Sequence, residues 1–589
     1  KETSVHYTPR NIASTLVDEA FNKLPNAHEA RVLDPACGAS VFLVLAFRRL
    51  YQERWKAAKQ RPNRRVIRKI LDTQLTGFDI SESAIRLASL SLYLTAIELD
   101  PKPVPLEDLR FNHLRNKVLF NFRRENIDPE EGAVAGSLGE HVGNRFDGQF
   151  DLILSNPPWT SLKKKEKALA VDFNRLSKAI IARRADEETA KAYENPDSCP
   201  DLPFVWKATE WCKLGGRMAI ALPARILLKQ EAIPCTARET FLRLVDVMGI
   251  INCTNLRKTK VWPEVDQPFL LLFARNRKPK DGHSLRFITP YPDVNLNGLG
   301  VMRIDAKSVQ PIDVHAGSEQ PWLWKTLSIG TSLDVAIIGR IRASKGVPLE
   351  DYWVKSYATC QGYKLADDQM QNHAEALQVL PDLHSPKSEA LAKSLPRFVV
   401  DTTRLKKFSR DTLHRTRLRQ KGDPLRIYRA PLTLVRASPP TDRSEGRGLF
   451  SLKDVAYNES YYGYSAPATP EGELTARYLH LFVHSSLWLY YALLTSGEIG
   501  FERPKLQKGD LDRFPIIPIE TLPAETKVEI GHLSSRLLNE DGDVFDDIDA
   551  LFAKLYGLDR RDLEVIADTL EIREPSDELG KRASVPPTP

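Results

Sequence analysis

Asn156-Pro157-Pro158-Trp159 is the stretch of this chain whose residue types point most directly to chemistry. It follows the apolar run Phe150 to Leu154 after a single serine, so it stands at the carboxyl end of a buried strand. Two prolines fix the backbone and remove two donors. The side-chain oxygen of Asn156 and the carbonyl of Pro157 can then point outward as a rigid pair of acceptors. An exocyclic amine has two hydrogens to donate and a lone pair tied up in its ring. Two fixed acceptors draw those hydrogens out of the plane, localise the lone pair and aim it at an electrophilic methyl group such as that of a sulfonium. Trp159 offers a flat face on which an extruded base can stack. Without context the tetrapeptide is only a double-proline turn. Its position in a cofactor-binding sheet separates the two readings.

The cofactor signal lies upstream. RVLDPACGASVFLVLAFRRL reads as strand, small-residue turn and helix, with Asp34 at the strand end followed by Pro35, Ala36, Cys37, Gly38, Ala39 and Ser40. Ligands of open α/β sheets bind at this strand end, and small side chains let a cofactor approach the backbone. The turn lacks both the Lys-Ser or Lys-Thr of a P-loop and the G-x-G-x-x-G of dinucleotide folds. An acidic residue beside such a turn suits a cofactor carrying an ammonium and no phosphate. The next strand ends in Gly77-Phe78-Asp79-Ile80, where a carboxylate can accept from both ribose hydroxyls. The two sites in this order describe an adenosyl cofactor.

The elements that must hold these residues are legible as alternation. Over residues 1–275, six apolar runs (RVLDPA, LTGFDI, FDLILSN, GGRMAIALP, VDVMGIINCT, PFLLLFAR) alternate with helical patterns, which predicts a mostly parallel sheet covered on both faces. The last two runs have no helical pattern between them, so a closing antiparallel hairpin is expected. The segment SESAIRLASLSLYLTAIEL puts Ile85, Leu87, Ala88, Leu92, Tyr93, Ala96 and Ile97 on one broad apolar face. Residues 48–69 are strongly basic, read as a solvated helix or linker. Residues 161–200 begin with Lys163, Lys164 and Lys165 and read as a mobile loop with some helix. Residues 276–345 are Pro- and Asn-rich and read as a linker. A mixed α/β body follows over 346–520, helical segments over 521–575 and a disordered tail over 576–589.

At 589 residues, 42% hydrophobic and 27% charged, the chain has the composition of a soluble multidomain protein. No apolar stretch is long enough to span a bilayer, and the first residues do not resemble a signal peptide. The sequence opens on Lys1, leaving room for a preceding segment. Six scattered cysteines (Cys37, Cys199, Cys212, Cys235, Cys253, Cys360) with no C-x-x-C pair argue for a reducing compartment and against a disulfide framework or a zinc site. No metal is expected. The net charge of +7 says little by itself.

Taken together, these motifs resemble the gamma-class DNA adenine-N6 methyltransferases of restriction–modification and phage-defence systems. The likeness covers residues 1–275 well and the remainder more loosely. HYTP (His6, Tyr7, Thr8, Pro9) resembles the element that lies over the methionine end of the cofactor. DPACGASVFL resembles D-P-x-C-G-S-G-x-F-L, with Ser40 in place of the second glycine. Asp79 and Ile80 fall at the ribose-binding position, NPPW at the catalytic tetrapeptide, and Ser137 in AGSLGE where the family contacts the adenine of the cofactor. The resemblance implies a Rossmann-like S-adenosylmethionine-dependent domain and a C-terminal target-recognition domain. It also implies double-stranded DNA as partner, further subunits of a defence system, and a bacterial or archaeal cytoplasm close to the nucleoid. The expected reaction is transfer of a methyl group from S-adenosyl-L-methionine to N6 of a flipped adenine. Trp262, in VWPEVDQPF, is a candidate second aromatic flanking that base.

SYATCQGYKLA and ERPKLQKGDLDRFPIIP resemble segments of target-recognition domains. Between them lies the densest basic stretch: Arg404, Lys406, Lys407, Arg410, Arg415, Arg417, Arg419, Lys421, Arg426, Arg429 and Arg436, against Asp411 and Asp423. Phosphate contacts would explain it and would make binding steeply salt-dependent; a solvated helix face is the plainer reading. His480 and His484 are spaced i, i+4 but lack the glutamate of a metalloprotease motif and read as ordinary histidines. Cys235, after Pro234, recurs to the eye as a cytosine-methyltransferase nucleophile, yet it follows no strand at the right place and reads as structural. The chain shows no nuclease carboxylate–lysine cluster. Two rival functions stay open: the same chemistry on RNA or on a protein amide, and a catalytically idle DNA-binding subunit of a defence complex. Glutamine methyltransferases acting on release factors share N-P-P-Y turns but lack a large basic C-terminal lobe.

Overall fold

In the computed structural model each of the six apolar runs is a strand. In chain order the first seven strands are β1 (Val32–Asp34), β2 (Leu75–Asp79), β3 (Leu119–Asn121), β4 (Phe150–Ser155), β5 (Cys212–Pro223), β6 (Asp246–Asn252) and β7 (Phe269–Arg275). The structure describes residues 7–122, 136–159, 162, 167–263, 265–354, 358–365, 374–409, 416–417, 423, 425–500 and 505–572. Two more strands, β8 (Ser284–Ile288) and β9 (Val309–Asp313), complete a nine-stranded sheet of order β3-β2-β1-β4-β5-β7-β6-β8-β9. β1 pairs in parallel with β2 and β4, β2 with β3, and β4 with β5. β7 runs antiparallel to both β5 and β6, the closing hairpin expected from the missing helix.

Parallel pairing brings the carboxyl ends of β1, β2, β4 and β5 to one edge. The chain leaves β1 for β2 on one side and reaches β4 on the other, so the strand order reverses between β1 and β4. Crevices at such a reversal are where open α/β sheets bind ligands. Asp34 ends one of the two flanking strands and Asn156 follows the other.

The helices that cover the sheet follow from their apolar spacing. α1 (Arg10–Phe21) and α2 (Val41–Ala58) bury Ile12, Leu16, Val17, Phe42, Leu43, Phe47 and Leu50 in the core that also takes in β1 and β2. α3 (Arg64–Thr73) and α4 (Glu82–Leu99) follow, each started by a side-chain cap, Asn63 on Val66 N–H and Ser81 on Ala84 N–H. On α4 the buried stripe is Ile85, Ala88, Leu92, Thr95 and Ala96. Leu87 is a correction, because it lies with Leu90 and Leu94 on a second, exposed stripe. Gly77 in β2 is required by packing: a Cβ there would sit 2.8 Å from Leu43 Cδ1 and 2.9 Å from Leu119 Cδ2.

The basic stretch 48–69 is helical surface. Arg49 pairs with Asp18 at 3.2 Å and Glu53 at 3.1 Å, and Arg64 with Asp100 at 2.6 Å. The expected loop over 161–200 is instead mostly helix among its described residues, α5 (Lys167–Arg184) and α6 (Glu187–Ala192), before α7 (Asp201–Trp211) leads into β5. Lys163, Lys164 and Lys165 lie outside the described residues.

The expected linker over 276–345 is also corrected. The chain divides into two units at Pro321/Trp322. β8 pairs in parallel with β6 and β9 antiparallel with β8, so residues 284–313 extend the sheet, and the Pro- and Asn-rich segment is the connection between two strands. Leu285 and Phe287 of β8 face inward, and that alternation is too short a signal among prolines to mark a strand.

The second unit has a four-stranded antiparallel sheet in the order Ala358–Gln361, Tyr461–Ser465, Leu432–Arg436, Gly448–Ser451. Its helices include Trp322–Ile329, Ser332–Arg342, Pro470–His484, Ser486–Thr495, Ala524–Leu538, Val544–Tyr556 and Arg560–Ile572. The C-terminal helices are therefore part of this unit rather than an appended segment. Buried Asp334 shows why: it accepts from Tyr490 Oη at 2.9 Å and Thr569 Oγ1 at 2.7 Å, joining three helices. His480 and His484 are fully buried in its core, and burial pushes His480 down to about 3, which keeps it neutral. No described helix is long and apolar enough to cross a membrane.

Candidate active site

The turn after β1 is built around a buried acid. Asp34 has no exposed surface; one carboxyl oxygen accepts from Ala36 N–H at 3.2 Å and Oδ2 has no hydrogen-bond partner among the described residues. Burial pushes its carboxyl well above the usual carboxylate range, with Asp79 adding to the rise and the Ala36 amide opposing it. A buried carboxylate oxygen left unsatisfied is costly, and a cation placed against it would satisfy it and favour the charged form. The residues present thus fit a cofactor carrying an ammonium.

Asp79 organises the other side of the turn. Its Oδ2 accepts from Gly38 N–H at 2.8 Å and its Oδ1 from Ser81 N–H at 2.7 Å. Each oxygen keeps a second lone pair for a hydroxyl donor. Ile80, 56% exposed, puts an apolar surface beside it. Gly38 takes a φ of 51°, left-handed backbone that a glycine adopts readily. Cys37 is buried, its thiol pushed up by burial and by Asp34 and Asp79, which suits a packing residue and not a nucleophile.

Two serines are buried at this turn. Ser137 is buried and donates its one hydroxyl hydrogen to the Pro35 carbonyl at 2.8 Å. Its side chain pins two turns together, and its oxygen keeps lone pairs that can accept. Ser40 sits at φ 70° and ψ 33° with its hydroxyl buried and without a partner among the described residues. A non-glycine residue in that region is strained by about 1 kcal/mol. Ser40→Gly is expected to raise the melting temperature by about 1–2 °C, measured by thermal unfolding; a lower melting temperature would mean that the hydroxyl supports the turn more than the strain opposes it.

The Asn156-Pro157-Pro158-Trp159 turn follows β4. Asn156 is half-buried, Pro157 buried and Pro158 exposed, so the turn reaches the surface. Asn156 Nδ2 donates to Thr8 Oγ1 at 3.0 Å. Trp159 is only 4% exposed; its Nε1 donates to the Ala221 carbonyl of β5 at 3.3 Å, and the Cys199 thiol donates to the Trp159 carbonyl at 3.0 Å. Trp262 is fully buried, with its ring 5.0 Å from that of Trp159 and its Nε1 donating to the Tyr7 carbonyl at 3.1 Å. The expectation that both indoles present open faces is corrected. They pack with Phe269 into one aromatic cluster, where their apolar area is buried.

Sequence reasoning missed the support behind this turn. Arg225, two residues past the end of β5, bonds Asp201 at 2.8 Å, and Lys229 bonds Asp197 at 2.7 Å. Burial opposes the charge of Arg225, but Asp201, Cys199 and Asp197 more than offset it, and its pKa rises. These pairs hold the segment that carries Cys199 against the end of β5. Nothing in the spacing of NPDSCPDLP announces it.

His6, Arg410, Arg415 and Arg419 lie outside the described residues. Lys406 and Lys407 are exposed on a short strand, Leu405–Lys407, and Arg417 lies in Thr416–Arg417. Arg404 pairs with Asp401 at 2.8 Å, and exposed Arg429 with Asp423 at 3.1 Å. Arg426 is exposed.

The first unit is an α/β fold, a large and mostly parallel sheet with its acidic turns on the carboxyl edge. Residues 1–288 match the family described as N-6 DNA Methylase. Among solved structures, the chain is similar to the type I restriction enzyme EcoKI M protein at 16% identity and a TM-score of 0.32, over 48% of each chain. It is similar to the methyltransferase subunit of a type I restriction–modification system from Streptococcus thermophilus at 17% identity and a TM-score of 0.35, over 54% of this chain and 58% of that one. It is also similar to the type IIG restriction endonuclease BpuSI at 13% identity and a TM-score of 0.40, over 99% of this chain and 66% of that one. The chain thus spans about half the length of the first two (48% and 58%).

Proposed function

We propose that this chain transfers a methyl group from S-adenosylmethionine to N6 of a flipped adenine in duplex DNA, as a modification enzyme of gamma-class type in a restriction or phage-defence system. The observation that carries the reading is the Asn156-Pro157-Pro158-Trp159 turn on one side of the strand-order reversal, with the Asp34 turn on the other. The match of residues 1–288 to N-6 DNA Methylase supports it. When bound, the cofactor supplies an electrophilic methyl group. Asp34 would hold its ammonium and Asp79 its ribose hydroxyls, with Ile80 against the adenosyl group. Tyr7, Thr8 and Pro9 would border it. The Asn156 side-chain oxygen and the Pro157 carbonyl would accept the two amine hydrogens of adenine and localise its lone pair. Holding donor and acceptor in one geometry is worth several orders of magnitude in rate. The exposed cations of the second unit, Lys406, Lys407, Arg426 and Arg429, would contact phosphates. Further subunits of the same system are proposed partners, and the bacterial or archaeal cytoplasm the compartment.

The experiment that tests the substrate class is partition of label. With tritiated S-adenosylmethionine and equal masses of genomic duplex DNA, ribosomal RNA and a protein extract, label is expected in the DNA, at N6 of adenine on nucleoside digestion. Label in RNA or protein would move the assignment to those substrates. A calorimetric titration without measurable cofactor binding would favour the idle DNA-binding subunit.

A further inference from the structure

A turn containing Pro157 and Pro158 lacks the backbone N–H at both central positions, so it has fewer donors of its own than an ordinary turn. Three segments brace it from outside. The Ala221 carbonyl accepts from the Trp159 indole, the Cys199 thiol donates to the Trp159 carbonyl, and Thr8 Oγ1 accepts from Asn156 Nδ2 at 3.0 Å. Only the last of these touches the amide that the proposed chemistry uses.

An asparagine amide has a donor end and an acceptor end of nearly the same shape. Presented the wrong way round, Nδ2 would meet the substrate amine donor against donor. In the structure Nδ2 donates to the Thr8 hydroxyl, which puts Oδ1 on the other side of the amide; because a hydroxyl both donates and accepts, what it fixes is the plane of the amide, by opposing rotation about the last side-chain bond. Thr8 can do this because its own backbone is held. The Tyr7 carbonyl accepts from Trp262 Nε1 at 3.1 Å, Pro9 opens α1 by accepting from Ala13 N–H at 3.0 Å, and Asn11 Nδ2 donates to the carbonyls of Val261 at 3.3 Å and Gly300 at 2.5 Å. The segment 7–11 is a strap fastened on both sides of Thr8.

We propose that Thr8 is a positioning residue for Asn156, fixing the plane in which its amide faces the substrate. The inference rests on the proposed role of Asn156 and gives Thr8 a task separate from bordering the cofactor. Valine matches threonine in shape and lacks only the hydroxyl. With tritiated S-adenosylmethionine and genomic duplex DNA, Thr8→Val is expected to lower kcat about tenfold, the worth of one hydrogen bond in the transition state. The Kd for S-adenosylmethionine, read by calorimetry, stays within about twofold, and Thr8→Ser, which keeps the hydroxyl, restores kcat.

A thermal-unfolding cycle with Asn156→Ala gives a readout independent of turnover. Thr8→Val alone lowers the melting temperature by about 2 °C and lowers it no further in the Asn156→Ala background. An unchanged kcat in Thr8→Val, a cofactor Kd that weakens in step with kcat, or additive melting shifts would each overturn the proposal. Full methyl transfer by Asn156→Ala alone would instead overturn the role given to Asn156, while the melting cycle still decides whether the two side chains act as a pair.

Discussion

Replacing Asn156 by alanine is expected to cut methyl transfer by about 10²–10³-fold, or about 3–4 kcal/mol of transition-state stabilisation. The physical reason is that one of two fixed acceptors disappears. An aromatic amine is a poor nucleophile because its lone pair is shared with the ring, and a single acceptor cannot hold both hydrogens away from that plane. The Pro157 carbonyl remains, so the loss is large but incomplete. The fold should survive, because Asn156 is half-buried and its described side-chain hydrogen bond runs to Thr8, outside the sheet. Tritium incorporation into genomic DNA at saturating cofactor measures the effect. Undiminished labelling would remove the chemical basis of the assignment, whatever the fold.

The second large effect is expected at Asp79. Its two oxygens already organise the turn after β1 and the start of α4 through Gly38 N–H and Ser81 N–H, at 2.8 and 2.7 Å. Asp79→Ala removes these bonds together with the proposed acceptors for the ribose. Hydrogen bonds to a charged group are worth about 1.5–3 kcal/mol each, so a loss of two implies at least about a 10²-fold rise in the Kd for S-adenosylmethionine. Asp79→Asn keeps the shape but presents an NH₂ to one of two backbone donors, and should fall between alanine and wild type. Calorimetric titration reads both, with far-ultraviolet circular dichroism to confirm folding. A Kd unchanged by Asp79→Ala would mean that the second strand does not hold the cofactor. The Ser40→Gly and Thr8→Val variants probe the two other places where this turn and its neighbour depart from the simplest arrangement.

Much of the first unit could be read from the chain because its signals are local. An apolar run of four to eight residues commits its backbone to a strand, and a helical period between two such runs commits them to parallel pairing. The six strands and the antiparallel closure follow from these rules, and so do the positions of Asp34, Asp79 and Asn156 at strand ends. β3 escaped because three residues carry no period, and β8 and β9 because prolines and asparagines surround them. Residues 276–345 consequently read as a linker although part of them lengthens the sheet.

What the residues alone determined is which chemical groups stand at which strand ends, since strand identity and the groups that follow it are properties of short stretches. Only the tertiary structure decided how those groups are held. Thr8 meets Asn156 across 148 positions of sequence, Cys199 meets Trp159 across 40, and Trp262 meets Tyr7 across 255. Such contacts depend on how helices and loops pack around the sheet, and no periodicity along the chain encodes them. For the same reason the indoles that looked suited to an open stacking surface are core: an aromatic side chain has the same composition in either place, and only its neighbours determine whether its face is covered.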